Sequence, residues 1–109
     1  MKTWRLTLHA EERITEIALW TTGRFGRRQA IIYQDELIDR LNRLARGEPP
    51  HARSCDILMC GRYSVKGLTY ARQGQHFIIM RETADRIDVL DFLHVSADLP
   101  MHIAKLAER

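Results

Sequence analysis

The sequence is poor in lysine, cysteine and long apolar runs, and the last two shortages each exclude a class of protein. Only three of its 17 basic residues are lysines. Its two cysteines, Cys55 and Cys60, are too few for a disulfide scaffold and indicate a reducing compartment. Their spacing, with His51 nearby, is a weak metal pattern, so we expect two buried thiols and no metal site. No apolar run approaches the roughly 18 residues that span a bilayer, and the N-terminus lacks the apolar core of a signal peptide, which predicts a cytoplasmic protein.

The chain does have the length and composition of one ordinary globular domain. It contains 109 residues, of which 45% are hydrophobic and 28% are charged, and its formal net charge is +3. This balance excludes a disordered or collagen-like chain, and residues 1–109 are expected to form a single domain. The 14 arginines suit recognition of phosphate or carboxylate, but an arginine-rich codon usage would give the same count. Composition alone therefore identifies no partner.

The N-terminal half of the chain has one strand pattern followed by two helix patterns. Residues 4–8 alternate apolar and polar, which predicts a short strand with its three apolar side chains on one side. Apolar residues then recur at helical spacing over residues 10–20, and Gly23 is the predicted end of this helix. A second helix is predicted over residues 27–45, because Pro49 and the residues around it cannot continue it. The two helices should form an antiparallel hairpin.

The C-terminal half has the pattern of a small sheet. Residues 62–66, residues 68–72 or both can be extended, and residues 76–80 form the apolar run typical of a central strand covered on both faces. Residues 86–94 are predicted to return beside that run as a β-hairpin, and Asp98 should cap a last short helix. The order of elements predicts an α+β fold. We expect a small, mostly antiparallel sheet with an N-terminal strand, a helical hairpin packed on one face and a short C-terminal helix.

Short motifs recur along the whole chain at a characteristic spacing. Those in the helices are Ala10-x-x-x-Ile14-x-x-Ile17 and Gly26-x-x-Gln29-Ala30-x-x-Tyr33-x-x-x-Leu37, followed by Leu44-Ala45 and Pro49. Those in the strands are Gly74-x-His76-x-Ile78-x-x-Arg81 and the tail Ile87-x-Val89-x-x-Phe92-Leu93-His94-x-x-x-Asp98. In this order the motifs resemble the RelE/ParE superfamily of bacterial toxin–antitoxin systems, and within it the ParE branch. Met80 and Asp91 depart from the family pattern, which often has an aromatic residue and a basic residue at these positions.

The resemblance implies the toxin component of a type II toxin–antitoxin system. Such a toxin inhibits DNA gyrase by binding, without enzymatic activity or cofactor, and causes a replication block, DNA breaks and growth arrest. It is neutralised by a ParD-like ribbon-helix-helix antitoxin. Only the antitoxin contacts operator DNA, and the toxin is bound there through it. The RelE branch of the superfamily instead cleaves mRNA on the ribosome, so a RelE-like endonuclease is the alternative. A module that only binds its antitoxin and represses its operon is a third.

Charge is distributed unevenly along the predicted sheet. Five basic residues accompany one acid between residues 53 and 81, and five acids accompany one arginine between residues 82 and 98. These opposite charges can pair across neighbouring strands, or the basic side chains can form a surface for gyrase, its bound DNA or an acidic antitoxin tail. The residues predicted to bind the target are Arg62, Arg72, Arg81 and His94.

Three large side chains lie near the margin of the predicted helical hairpin. Trp20, Phe25 and Tyr33 either pack in the core or line a groove that binds a helix of the antitoxin. We name them as the candidate antitoxin-binding residues.

The candidate catalytic residues of a nuclease are His94, Arg81 and His76. However, no Glu, Lys or Tyr is evidently placed to complete an acid–base pair with them. A histidine in such a strand is more often a packed, hydrogen-bonded residue. The favoured interpretation is therefore a binding protein with no catalytic residue.

Overall fold

A five-stranded sheet forms the centre of the protein in the computed structural model, which describes residues 1–62 and 64–108. The strands are β1 (Thr3–Leu6), β2 (Arg53–Ser54), β3 (Leu68–Gln73), β4 (His76–Glu82) and β5 (Arg86–His94). They lie in the order β1-β5-β4-β3-β2, and only the β1–β5 pair is parallel. The predicted α+β architecture and the β4–β5 hairpin are confirmed.

Two long helices form the predicted antiparallel hairpin, α1 (Leu8–Phe25) and α2 (Arg27–Ala45). Gly26 alone separates them, and its φ of +93° is a conformation that glycine adopts without strain. Gly26 therefore ends α1, and the prediction that Gly23 ends it was wrong.

The predicted strand over residues 4–8 is also shorter than expected. The Thr7 hydroxyl accepts a hydrogen bond from the Ala10 N–H at 3.2 Å, so Thr7 caps α1. Leu8 consequently begins the helix and is 72% exposed instead of sharing a strand face with Trp4 and Leu6.

The segment between α2 and β3 contains β2 and a short 3₁₀-helix over Cys55–Met59. The sequence shows no clear helical or strand periodicity in this segment up to residue 61. Within the alternative strand over residues 62–66, none of the described residues is extended in the sheet, and Tyr63 lies outside the described residues. The Asp56 carboxylate explains this, because it accepts hydrogen bonds from the Val65 N–H at 2.7 Å and from the Ser64 hydroxyl. These bonds tie the segment to the 3₁₀-helix.

Hydrophobic clusters cover both faces of the sheet. The first lies between the sheet and the α1–α2 hairpin, and its largest members from the helices and strands are Ile14, Ile17, Leu37, Leu41, Ile78, Met80, Ile87, Val89 and Phe92. The second is closed by the 3₁₀-helix and by α3 (Leu99–Ala107), which Asp98 caps as predicted. Its members are Cys55, Met59, Val65, Leu68, Tyr70, Ile79, Leu93, Ile103 and Leu106. Cys55 is buried there but Cys60 is exposed, so the expectation of two buried thiols was half wrong.

A β-bulge interrupts the pairing of β4 with β5. Met80 pairs with Val89 and Ile79 pairs with Asp91, so that Leu90 is an extra residue in β5. The alternation of side chains shifts at this point, and Phe92 faces the α1–α2 hairpin as Val89 does. The bulge also buries Asp91, which is 2% exposed.

Candidate functional site

An open groove lies where the end of α1 and the beginning of α2 meet the adjacent ends of β4 and β5. It consists of two adjoining hollows of about 400 and 460 Å³, which share Trp20, His76 and His94 in their walls. One hollow extends towards α3, and the other extends to Phe25 and Tyr33. We call the two hollows together the histidine groove.

The aromatic wall of the histidine groove is formed by the helical hairpin. Trp20 is 58% exposed and Phe25 is 63% exposed, and their rings pack edge to face with centroids 6.1 Å apart. The Arg24 guanidinium lies 5.5 Å from the centre of the Trp20 ring, in the geometry of a cation–π contact. Trp20 and Phe25 are therefore not core residues, and their role in antitoxin binding stays a prediction.

The opposite wall holds two histidines and the tyrosine that contacts one of them. His76 and His94 are partners across the β4–β5 ladder, and their rings are 5.4 Å apart at an interplanar angle of 87°. The Tyr33 hydroxyl lies 2.6 Å from His76 Nδ1. His94 Nδ1 lies 2.7 Å from the Ser96 hydroxyl and accepts a hydrogen bond from the Ser96 N–H at 3.0 Å. His76 is thus the packed, hydrogen-bonded residue expected, and His94 is exposed.

Burial determines the charge of the two groups that meet in this wall. Desolvation, together with the smaller effects of the nearby His94 and Arg13, lowers the pKa of His76 to about 4. Burial also raises the pKa of Tyr33. At neutral pH the groove therefore contains an uncharged imidazole bonded to an uncharged phenol.

An ion pair between a buried aspartate and a partly exposed arginine joins β5 to α1 beside the groove. The Asp91 carboxylate accepts hydrogen bonds from Arg13 Nε at 3.0 Å and from the Phe92 N–H at 2.8 Å, and lies 3.0 Å from His9 Nε2. The bond to Asp91 raises the pKa of Arg13. Sequence reasoning missed this pair, because Asp91 stands among other acids in an alternating strand that predicts exposure.

The acids of the C-terminal strands pair with the N-terminal segment of the chain. Lys2 Nζ lies 2.8 Å from the Glu82 carboxylate, and Arg5 Nε lies 2.8 Å from the Asp88 carboxylate. Desolvation raises the pKa of Asp88, but its hydrogen bonds to Arg5 and Arg86 outweigh this effect and hold the pKa below its usual value. Among the ion pairs of residues 1–62 and 64–108, none includes an arginine predicted to bind the target. These arginines are Arg62, Arg72 and Arg81. The cross-strand pairing that was the alternative to a basic surface is therefore not observed for these arginines.

The predicted site residues do not all lie together. Arg72 lies over Phe77 at 5.9 Å and donates to the Gly74 carbonyl at 3.1 Å, close to the groove. Arg81 is at the other end of β4, five residues and about 16 Å from His76. His76 and His94 thus lie together in the groove, and Arg81 does not lie there with them. Arg62 is exposed and precedes β3, outside the sheet.

The part of the chain that the structure describes contains neither a metal-binding cluster nor a membrane-spanning helix. Within residues 1–62 and 64–108, no group of three His, Cys, Asp or Glu side chains could hold a metal ion. No helix in this part of the chain is long and apolar enough to cross a membrane.

Comparison with known proteins places the fold. No protein-family model and no curated protein matches the sequence. Among solved structures, the chain is similar to one described as "Chromosomal ParDE TA system from P. aeruginosa", with a TM-score of 0.65. The two chains share 14% sequence identity, and the match covers 86% of this chain and 95% of the other. At this identity the likeness establishes that the protein shares the α+β fold of a chain from a ParDE system.

Proposed function

We propose that this protein is the toxin component of a type II toxin–antitoxin system of the ParE type. It acts in the cytoplasm by binding DNA gyrase, which blocks replication and produces DNA breaks and growth arrest. A ParD-like ribbon-helix-helix antitoxin neutralises it and carries the complex to operator DNA. The observation that carries this proposal is the ParDE-like fold, which presents an exposed aromatic groove.

The histidine groove supports a role in antitoxin binding. Trp20 and Phe25 expose large apolar surfaces on the hairpin, next to a hollow of about 460 Å³. Exposed aromatic anchors beside a hollow are the features that dominate binding energy in protein interfaces. A segment of the antitoxin that folds onto this groove would bury them.

The arginines support a separate role in target binding. Arg62, Arg72 and Arg81 have no ion-pair partner among the described residues, so their charge is available to a partner. Arg81 lies at the far end of the sheet from the groove. Target binding and antitoxin binding would therefore use surfaces that overlap only in part.

A ribosome-dependent mRNA endonuclease is the second candidate, because Tyr33, His76 and His94 meet in one groove. Binding is favoured over this alternative for a chemical reason. A general base is most effective when its pKa is near neutral pH, and the pKa of His76 is about 4. Arg81, which would stabilise the phosphate, is about 16 Å away along β4.

Expression of the toxin alone tests the choice between these functions. We expect growth arrest with induction of the DNA-damage response and gyrase-linked breaks, and rescue by the ribbon-helix-helix protein encoded beside the gene. Intact DNA with rapid mRNA cleavage would establish the nuclease instead. Growth without arrest or damage would contradict both.

Variants separate binding from catalysis. His94→Ala should retain most of the toxicity of a binding protein, whereas total loss with the fold preserved would favour an enzyme. Arg72→Ala and Arg81→Ala should weaken inhibition of purified gyrase by several-fold each. Arg5→Ala is the matched control, since Arg5 is exposed but already paired with Asp88.

The antitoxin surface has its own control. Trp20→Ala and Phe25→Ala should each reduce antitoxin affinity by tenfold or more, the effect of losing about 1.4 kcal/mol. Leu8→Ala removes an equally exposed apolar side chain at the other end of α1 and should leave the affinity unchanged. Equal losses in all three variants would show that the groove is not the antitoxin site.

A further inference from the structure

The Tyr33 hydroxyl is the centre of a hydrogen-bond arrangement at the turn between β3 and β4. It lies 3.1 Å from the Gln75 N–H, 3.2 Å from the Gln73 carbonyl oxygen and 2.6 Å from His76 Nδ1. A backbone N–H only donates and a carbonyl oxygen only accepts, whereas the hydroxyl has one proton to donate and two lone pairs. The Gln75 N–H therefore donates to the hydroxyl, and the Gln73 carbonyl accepts from it.

This arrangement determines which nitrogen of His76 carries the proton. A hydroxyl proton directed to the Gln73 carbonyl leaves His76 Nδ1 to donate its own proton to the second lone pair of the Tyr33 oxygen. All three contacts of the Tyr33 hydroxyl are then hydrogen bonds. If the hydroxyl donated its proton to His76 Nδ1 instead, it would have no proton to donate to the Gln73 carbonyl. The neutral His76 ring consequently has its lone pair on Nε2.

His76 Nε2 opens onto the histidine groove. It has no hydrogen-bond partner among the described residues. It is also not one of the solvent-inaccessible side-chain atoms that lack a hydrogen bond, which are Arg40 NH1, Arg43 Nε and the Thr69 hydroxyl. His76 lines both hollows of the groove. A lone pair therefore faces the groove.

The neighbouring His94 ring carries its proton on the other nitrogen. Its Nδ1 accepts from the Ser96 N–H at 3.0 Å, so the proton of the neutral ring is on Nε2. The two rings are 5.4 Å apart. One wall of the groove thus presents a hydrogen-bond acceptor from His76 beside a donor from His94.

Packing holds Tyr33 in the position that this arrangement needs. Gly74 lies directly against the tyrosine ring, where an added Cβ would come within 2.6 Å of Tyr33 Cε1. The φ of +59° at Gly74 forms the turn that carries Gln73 and Gln75 to the hydroxyl.

We propose that Tyr33 is a positioning residue that fixes the proton of His76 on Nδ1, so that His76 and His94 together recognise an uncharged amide group of the segment occupying the groove. A carboxylate would meet the lone pair of His76, and an ammonium group would meet the N–H of His94. An amide has both a donor and an acceptor and satisfies the two histidines. The identity of the occupant rests on the proposed function, whereas the role of Tyr33 does not.

Nuclear magnetic resonance of the free protein tests the positioning role. Long-range ¹H–¹⁵N spectra of the imidazole rings at neutral pH should show His76 protonated on Nδ1 and His94 on Nε2. In Tyr33→Phe the His76 proton should move to Nε2, while the backbone amide spectrum stays that of the wild type. Tyr70→Phe is the matched control, because Tyr70 packs on Phe77 away from the groove, and it should change neither histidine. A wild-type His76 protonated on Nε2 overturns the proposal, and this outcome can be read even if Tyr33→Phe fails to fold.

Affinity for the antitoxin encoded with the gene tests the recognition step. Tyr33→Phe should weaken binding about tenfold, as the loss of one well-placed hydrogen bond does, and Tyr70→Phe should not. A moved proton with unchanged affinity would overturn amide recognition and leave the positioning role standing. If the wild type did not bind the antitoxin at all, the proposed function would fail, while the spectra would still decide the role of Tyr33.

Discussion

The two faces of the sheet bury different kinds of side chain. The cluster between the sheet and α3 is built from apolar residues together with Cys55 and Tyr70. The buried polar and charged residues among those described all belong to, or contact, the α1–α2 hairpin; they are Thr21, Arg40, His76 and Asp91. Burying such groups lowers stability unless each is bonded, and each of the four residues has a hydrogen-bond partner, although Arg40 NH1 has none. The difference teaches that the α3 face supports the sheet, while the hairpin face carries the groove.

The largest expected loss of stability comes from truncating one buried apolar residue on each face of the sheet. Leu37 on the hairpin and Ile103 on α3 are both fully buried, so replacing either by Ala should lower the free energy of unfolding by about 3 kcal/mol. Urea unfolding measures this loss. Ile103→Ala should leave the imidazole spectrum of His76 unchanged and Leu37→Ala should alter it. A change in both variants would show that the two faces are not independent.

Removing the charge of Asp91 should have the next largest effect. Asp91→Asn leaves Arg13 without its partner, but Arg13 is about one-third exposed and can turn to water. We therefore expect a loss of about 2 kcal/mol, below the range for a fully buried pair. Glu16→Gln breaks the exposed pair with the same arginine and should cost less than about 1 kcal/mol in the same unfolding assay. Equal losses would show that the burial of Asp91 does not matter.

Acid should destabilise the hairpin face through His76. Its pKa is about 4 in the folded protein and near 6.5 when unfolded, so the unfolded chain binds more protons between these pH values. Stability should therefore fall as the pH drops from 6.5 to about 4, by on the order of 2 kcal/mol from this residue. Urea unfolding at a series of pH values measures the slope. His76→Gln should flatten it, and an unchanged slope would contradict burial of the neutral ring.

The smallest expected change in stability separates backbone strain from side-chain contact at Gly74, in the turn between β3 and β4. Gly74→Ala introduces strain at a positive φ and a close approach to Tyr33, whereas Gly47 has a positive φ but nothing within 4 Å. Gly74→Ala should therefore cost about 1 kcal/mol more than Gly47→Ala in thermal or urea unfolding. Equal costs would show that the tyrosine ring moves aside freely.

Local patterns were sufficient to predict the long elements. The predicted bounds of α2 and β5 match the structure, because the apolar stripe of α2 and the flanking turns of β5 agree with their tertiary environment. The assignment of Leu8 failed because the Thr7 cap outweighed a short alternation.

The groove could be predicted only in part. Trp20 and Phe25 were identified from their place at the hairpin margin, but the contact of Tyr33 with His76 joins residues 43 positions apart. No local pattern contains such a contact. The burial of Asp91 depends on a bulge in the pairing of two strands, which the alternation within either strand does not reveal.

The bulge at Leu90 decides which face of the sheet the Asp91 side chain occupies. Loss of that one residue would restore regular alternation with Phe92 still on the hairpin face and Leu93 still on the α3 face, but Asp91 would turn from the hairpin face to the α3 face. Such a deletion would separate the Asp91 carboxylate from Arg13 and direct it towards the apolar cluster beneath α3. The segment around Leu90 should therefore keep a constant length in those related chains that keep an acid at the position of Asp91 and an arginine at that of Arg13.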